Sequence, residues 1–256
     1  MTSTIALTRG VSPSIVHCEL THLRREPIDF QAAVEQHRQY EMALEAMGCI
    51  VTRLPASDDL PDSVFIEDTA VVLDEIAVIT RPGAASRRAE TAAVARALER
   101  YRPIVMIEEP GTIDGGDVLQ IGRTLFVGMS TRTNSAGVDQ LERIAQGVGR
   151  TVRRTEVRQC LHLKTAVTEL APDTVLLNPE WIDPNEFEGL DQVMVDPAEG
   201  YGANVVRIGS SVLYSSSFPR TRDRLLARGM NVVQLVAREL AKAEGALTCC
   251  SLLFPA

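Results

Sequence analysis

The order strand, strand, helix, strand recurs along this chain, and no other feature of the sequence restricts the fold as much. Residues 70–73 are β-rich, Asp74-Glu75 breaks them, and residues 76–80 are β-rich again before Pro82-Gly83 ends the run. Ser86 is placed to cap a helix over 86–100, with Val94 and Leu98 four apart on one face, and 104–107 is a further apolar strand. A second unit has strands at 118–121 and 125–128 about a Gly122-Arg123 turn, a helix over 135–147 and a strand at 151–157. The third has 165–170, 175–177, a short helix near 184–188 and a strand at 193–195. The fourth has 204–208, 212–214, a helix over 221–228 and a strand at 231–235. The fifth is split between the chain ends: a strand near 247–252, then 4–7, a helix over 30–47 and a strand at 50–54. In that helix Phe30, Val34, His37, Tyr40, Leu44 and Met47 follow helical spacing, with Asp29 as cap and Gly48 as stop.

Five similar units with a split fifth imply closure about an axis, as propellers close. The expected fold is therefore α/β, a five-bladed propeller of ββαβ units, with residues 1–256 forming one domain. An open α/β sheet with hairpins is the alternative. In each unit the segment leading into the first strand should sit near the axis. Those segments are 61–68, 111–117, 160–165, 199–204 and 245–250, and they carry Asp62, Glu67, Asp68, Asp114, Asp117, His162 and Cys249. The hairpin-to-helix turns place Arg87, Arg132 and Arg220 where they would line a rim.

Composition narrows the function. The net charge is -8 and no basic stripe stands out, so nucleic-acid binding is not expected. No apolar run approaches the roughly 20 residues that span a bilayer, and the start of the chain does not read as a signal peptide. Five cysteines without zinc-type spacing suit a reducing cytoplasm better than a disulfide framework.

A thiol and an imidazole at one end of the axis suggest nucleophilic catalysis with proton transfer. The surrounding carboxylates would repel an acyl oxyanion, but they suit a cationic electrophile. A guanidinium is planar, permanently charged and matched to carboxylates bidentately. The sequence thus suggests that Cys249 attacks a guanidinium carbon while Asp68 and Asp114 grip its nitrogens. His162 would protonate the departing amine and then activate water. Arginines at the rim, among Arg87, Arg132 and Arg220, would hold the α-carboxylate of an amino-acid substrate. No metal or organic cofactor is required.

The stretches LPDSVFIED, ITRPGAASRR, GTIDGGDVL, STRTN, LHLKT and GALTCCSLL, in this order, resemble the dimethylarginine dimethylaminohydrolase family over nearly the whole chain. The resemblance implies the five-bladed α/β propeller of the amidinotransferase-like (pentein) enzymes. It also implies hydrolysis of methylated arginine to citrulline. It assigns the nucleophile to Cys249 rather than Cys250, the histidine to His162 and the guanidinium carboxylates to Asp68 and Asp114. Arg87 and Arg132 become the α-carboxylate binders, Asp62 and Glu67 further pocket carboxylates, and Cys18 a lid position.

Plainer readings stand beside these. Cys18, Cys49 and Cys160 read as small buried hydrophobes, and His17, His22 and His37 as structural or loop residues. Asp117, after Gly115-Gly116, serves a turn or the site equally well. Rival functions are an arginine deiminase, an amidinotransferase or a non-catalytic binder of arginine-like ligands. The first two usually carry longer chains, and a binder would need neither Cys249 nor His162. Pairing of two copies at a propeller rim is a further expectation.

Overall fold

A computed structural model describes residues 3–256 and folds them into five three-stranded sheets. The chain begins with β1 (Thr4–Arg9), the helix Phe30–Ala46 and β2 (Cys49–Leu54). The second blade contains β3 (Ala70–Val72), β4 (Ala77–Ile79), the helix Thr91–Leu98 and β5 (Ile104–Met106). The third contains β6 (Val118–Ile121), β7 (Thr124–Met129), the helix Ser135–Gly147 and β8 (Thr151–Glu156). The fourth contains β9 (Val167–Ala171), β10 (Thr174–Leu177), the 3-10 helix Pro184–Phe187 and β11 (Asp191–Met194). The fifth contains β12 (Val205–Ile208), β13 (Ser211–Ser215), the helix Pro219–Ala227 and β14 (Asn231–Leu235). β15 (Ser251–Pro255) returns to pair antiparallel with β1, so the two ends of the chain complete one blade.

Every sheet has the same connectivity. Its first two strands are antiparallel, and its second and third are parallel. A parallel neighbour requires a crossover, which the helical segment of each unit supplies. Successive residues of the first strands point into opposite seams. Val118 packs towards the second blade with Val71, Leu73 and Val78, whereas Leu119 packs towards the fourth with Val167, Val175 and Phe187. Five apolar clusters result, one in each seam between neighbouring blades. Each helix buries one stripe in such a seam, and truncating a leucine there to alanine costs about 2–5 kcal/mol.

The caps mostly follow the sequence. Asp29 accepts the backbone N–H of Ala32, and Gly48 takes φ +90° just beyond the helix. Asn134 accepts that of Gly137. Ser86 departs from expectation. The segment Ala85–Glu90 is a 3-10 helix, and the Ser86 hydroxyl donates to Glu19 at 2.6 Å instead of capping. Three residues per turn stack Arg87 over Glu90, and their ion pair favours that tighter winding.

The segments leading into the first strands also differ from expectation. They are single helical turns: Ile66–Thr69, Gly115–Asp117, Leu163–Ala166, Gly200–Ala203 and Thr248–Cys250. β9 therefore begins at Val167 rather than 165, and β15 at Ser251 rather than 247. Strand alternation is consequently not what separates Cys249 from Cys250. The turn points Cys250 into the seam between the fifth blade and the closing blade and leaves Cys249 half-buried. Among the described residues, no helix is long and apolar enough to cross a membrane.

Candidate active site

The helical turns meet around the axis and bring residues far apart in sequence into contact. His162 sits at the start of its turn, and its Nε2 lies 3.0 Å from Asp114 Oδ2. Its Nδ1 lies 3.8 Å from Asp68 Oδ1. Burial opposes charge on this imidazole, but Asp68, the Asp114 hydrogen bond and Asp117 outweigh it and raise its pKa to about 9. His162 is therefore protonated at neutral pH.

Cys249 faces the same pocket, and its Sγ accepts the Ala246 N–H at 3.4 Å. Burial, with Glu67 and Asp68 adding negative potential, pushes the thiol up to about 12. The resting pair is thus a neutral thiol beside a cationic imidazole. Anything positive brought beside Sγ would reverse part of that shift.

Glycine allows the close approach of these groups. A Cβ on Gly116 would lie 2.6 Å from His162 Nδ1 and 2.8 Å from Asp68 Oδ1. The Gly116 N–H instead donates to that same Asp68 oxygen at 2.9 Å.

The pocket is small, with a volume of about 20 Å³. Asp62, Asp68, Arg87, Arg132, His162 and Cys249 all line it. Asp62 is held by the Glu19 N–H at 3.1 Å. Burial raises its pKa, with Arg87 opposing. The Arg132 Nη2 donates to Thr21 Oγ1 at 2.9 Å, linking the pocket to the overlying loop. That loop is fastened by Glu244, whose carboxylate accepts the N–H groups of Thr21, His22 and Leu23 at 2.9, 2.5 and 2.5 Å.

Four expected contacts are placed differently. Arg87 is not on a rim: it is 5% exposed. Its guanidinium donates to Asp68, Glu90 and the Asp62 and Phe65 carbonyls. It holds Asp68 in place, and its donors are largely used in doing so. Asp114 does not line the pocket. One of its oxygens faces His162 and the other accepts the Gly83 N–H at 2.9 Å, so it orients the imidazole rather than a ligand. Glu67 points along the axis, because adjacent residues of a 3-10 turn diverge by about 120°. It bonds Lys164 at 2.6 Å and Thr248 at 2.9 Å and lines a separate cavity of about 260 Å³. Cys18 is buried in an apolar cluster instead of meeting the pocket.

The family model for arginine deiminase matches residues 36–198. A dimethylarginine dimethylaminohydrolase from Streptomyces coelicolor is 43% identical over 253 residues, covering 98% of this chain and 97% of the relative. This chain belongs to the dimethylarginine dimethylaminohydrolase family. The Pseudomonas aeruginosa enzyme, solved as a cysteine-to-serine variant with citrulline, superposes with TM-score 0.95 at 32% identity over 99% of this chain and 100% of that one. A histidine-to-glycine variant of a dimethylarginine dimethylaminohydrolase, solved as an adduct with S-methyl-L-thiocitrulline, superposes at TM-score 0.93, also at 32% identity and with the same coverage.

Within this dimethylarginine dimethylaminohydrolase fold, sequence reasoning missed Lys164, Asn204, Thr248 and Glu244. The first three form one network with Glu67: Asn204 Nδ2 donates to the Lys164 carbonyl and to Thr248 Oγ1. Lys164 and Thr248 stood beside His162 and Cys249, and Asn204 in a repeat-equivalent segment, and that equivalence was the available signal. Asp68, Asp114 and His162 also lie within cation-binding reach of one another. However, the same groups are engaged with Arg87, Gly83, Gly116 and each other.

Proposed function

We propose that this protein hydrolyses Nω-methylated L-arginine to L-citrulline and a methylamine through a covalent intermediate on Cys249. The observation that carries this reading is one small pocket joining Cys249, a protonated His162 and the carboxylates Asp62 and Asp68.

The guanidinium enters as a cation between the carboxylates, and its charge lowers the Cys249 thiol from about 12 so that the thiol proton passes to solvent and a thiolate forms beside it. Sγ bonds to the guanidinium carbon. The bond to the methylated nitrogen then breaks as His162 gives that nitrogen its proton. A thiouronium remains on Cys249. His162, now neutral, takes a proton from water, whose oxygen bonds to the same carbon. The carbon–sulfur bond breaks, the electron pair returns to Cys249, which takes up the proton of the new hydroxyl, and citrulline leaves. Asp68 holds the cation, Asp114 orients His162, and Arg132 is left to receive the substrate α-carboxylate. No step requires a metal or an organic cofactor.

We assign the whole chain, 1–256, to one catalytic domain acting on a small molecule in the cytoplasm, where its five free thiols are stable. Two copies pair along a propeller rim in this reading, and the sedimentation mass would test it.

Incubation with asymmetric dimethylarginine, monomethylarginine and arginine, followed by a citrulline assay, tests the reading. Citrulline from the methylated substrates, abolished in Cys249→Ser, is expected. Faster release from arginine, with ammonia, would replace it with a deiminase. No citrulline from any of the three would overturn it.

A further inference from the structure

The small pocket at Cys249 adjoins a larger cavity of about 400 Å³, walled by Leu23, Tyr201, Phe218, Ala246 and Leu247 among others. Three residues face both spaces: Leu161, Glu244 and Gly245. Leu161 immediately precedes His162, and Gly245 begins the short stretch that ends in Cys249. The polar end of the pocket, formed by Asp62, Asp68, Arg87 and Arg132, shares no residue with the larger cavity. Gly245 contributes only backbone to this wall, because a Cβ there would come within 2.1 Å of the Phe65 ring packed against it.

Reaction geometry decides which part of a substrate meets this wall. The leaving nitrogen must lie between the carbon attacked by Cys249 and the imidazole of His162. Substituents on that nitrogen point away from the carbon. Leu161 of the wall directly precedes His162, the proton donor, and lines the same pocket, so a substituent that extends past the imidazole meets the wall there. The cavity beyond is mainly apolar. Its Lys242 is already bonded to Glu239 and the Pro27 carbonyl, and its Glu244 to the loop over the pocket.

We infer that this cavity is a subsite for the apolar substituent of the leaving amine, with Leu161 as the side chain that limits its size. The inference rests on the methylarginine reading above and extends its substrate class to Nω-alkyl and Nω-aralkyl arginines larger than methyl. A methyl group remains on the near side of Leu161; a butyl or benzyl group crosses into the cavity. Volumes of a few hundred Å³ are the usual scale for ligand sites.

The test compares kcat/KM for Nω-monomethyl- and Nω-butyl-arginine in the wild type, Leu161→Ala and Ala241→Trp. Ala241 lines the far side of the cavity, is exposed and does not touch the pocket. The wild type should turn over both substrates. Leu161→Ala should improve the butyl substrate relative to the methyl one. Ala241→Trp should lower the butyl substrate about tenfold while leaving the methyl one unchanged, the scale on which an apolar pocket discriminates. The inference is overturned if the wild type hydrolyses the methyl but not the butyl substrate, or if either variant changes both equally or neither. Failure to hydrolyse even the methyl substrate would instead remove the parent reading, and the subsite with it.

Discussion

The Asp117 carboxylate accepts the Leu163 N–H at 2.9 Å and so fixes the backbone next to His162. Its other oxygen accepts the hydroxyls of Ser130 and Thr133, which flank Arg132. One buried side chain thereby ties the histidine to the turn carrying a pocket arginine. Asp117→Asn keeps the size but gives up an acceptor. Stability should fall by about 1–3 kcal/mol in denaturant unfolding. Because Asp117 also helps raise the His162 pKa, the pH profile of kcat/KM should move to lower pH. An unmoved profile would limit Asp117 to a structural role.

The pH dependence follows from counting protons. At rest the thiol (about 12) and imidazole (about 9) both hold theirs, whereas the reacting pair is one proton short. The value of kcat/KM should therefore rise with pH and level above about 9. Asp114→Asn removes a charge that favours imidazolium, so its limb should level at lower pH. A wild-type profile that falls between pH 7 and pH 9 would contradict this proton count. The same raised pKa also bears on stability. The contribution of His162 is complete below the ordinary histidine value and is lost as pH rises through about 9.

Gly116→Ala places a methyl between Asp68 and His162. Overpacking should destabilise the protein by about 1–3 kcal/mol. Displacing the imidazole should lower kcat by about a hundredfold, as misplacement by an ångström does. Thermal unfolding and steady-state kinetics would measure both effects, and near-normal kcat would show that the turn gives way without moving His162.

Glu244 fastens residues 21–23 over the pocket although its own φ of +58° is unfavourable for a residue with a side chain. Glu244→Ala removes three charge-assisted hydrogen bonds. KM should rise on the order of tenfold, with faster amide exchange at 21–23. Unchanged exchange would show that the loop is held by other contacts.

The sequence by itself determined the five units, their split closure and the five segments that converge on the axis. Periodicity and capping are local, so Asp29, Asn134 and Gly48 could be read directly from their neighbours. The sequence also marked His162, Asp68, Asp62 and Cys249 as residues that meet in the pocket. It could not decide which way each side chain points once the segments become single helical turns. A displacement of one residue about such a turn separates Asp68, facing the pocket, from Glu67, facing the axis, and Cys249 from the buried Cys250. Nor could it show that Arg87 spends its guanidinium on Asp68 and Glu90, or that Asp114 acts through His162. Those choices depend on which partners the neighbouring blades supply. A buried charge accepts the orientation in which it is paired, and only the closed ring of blades brings the partners together.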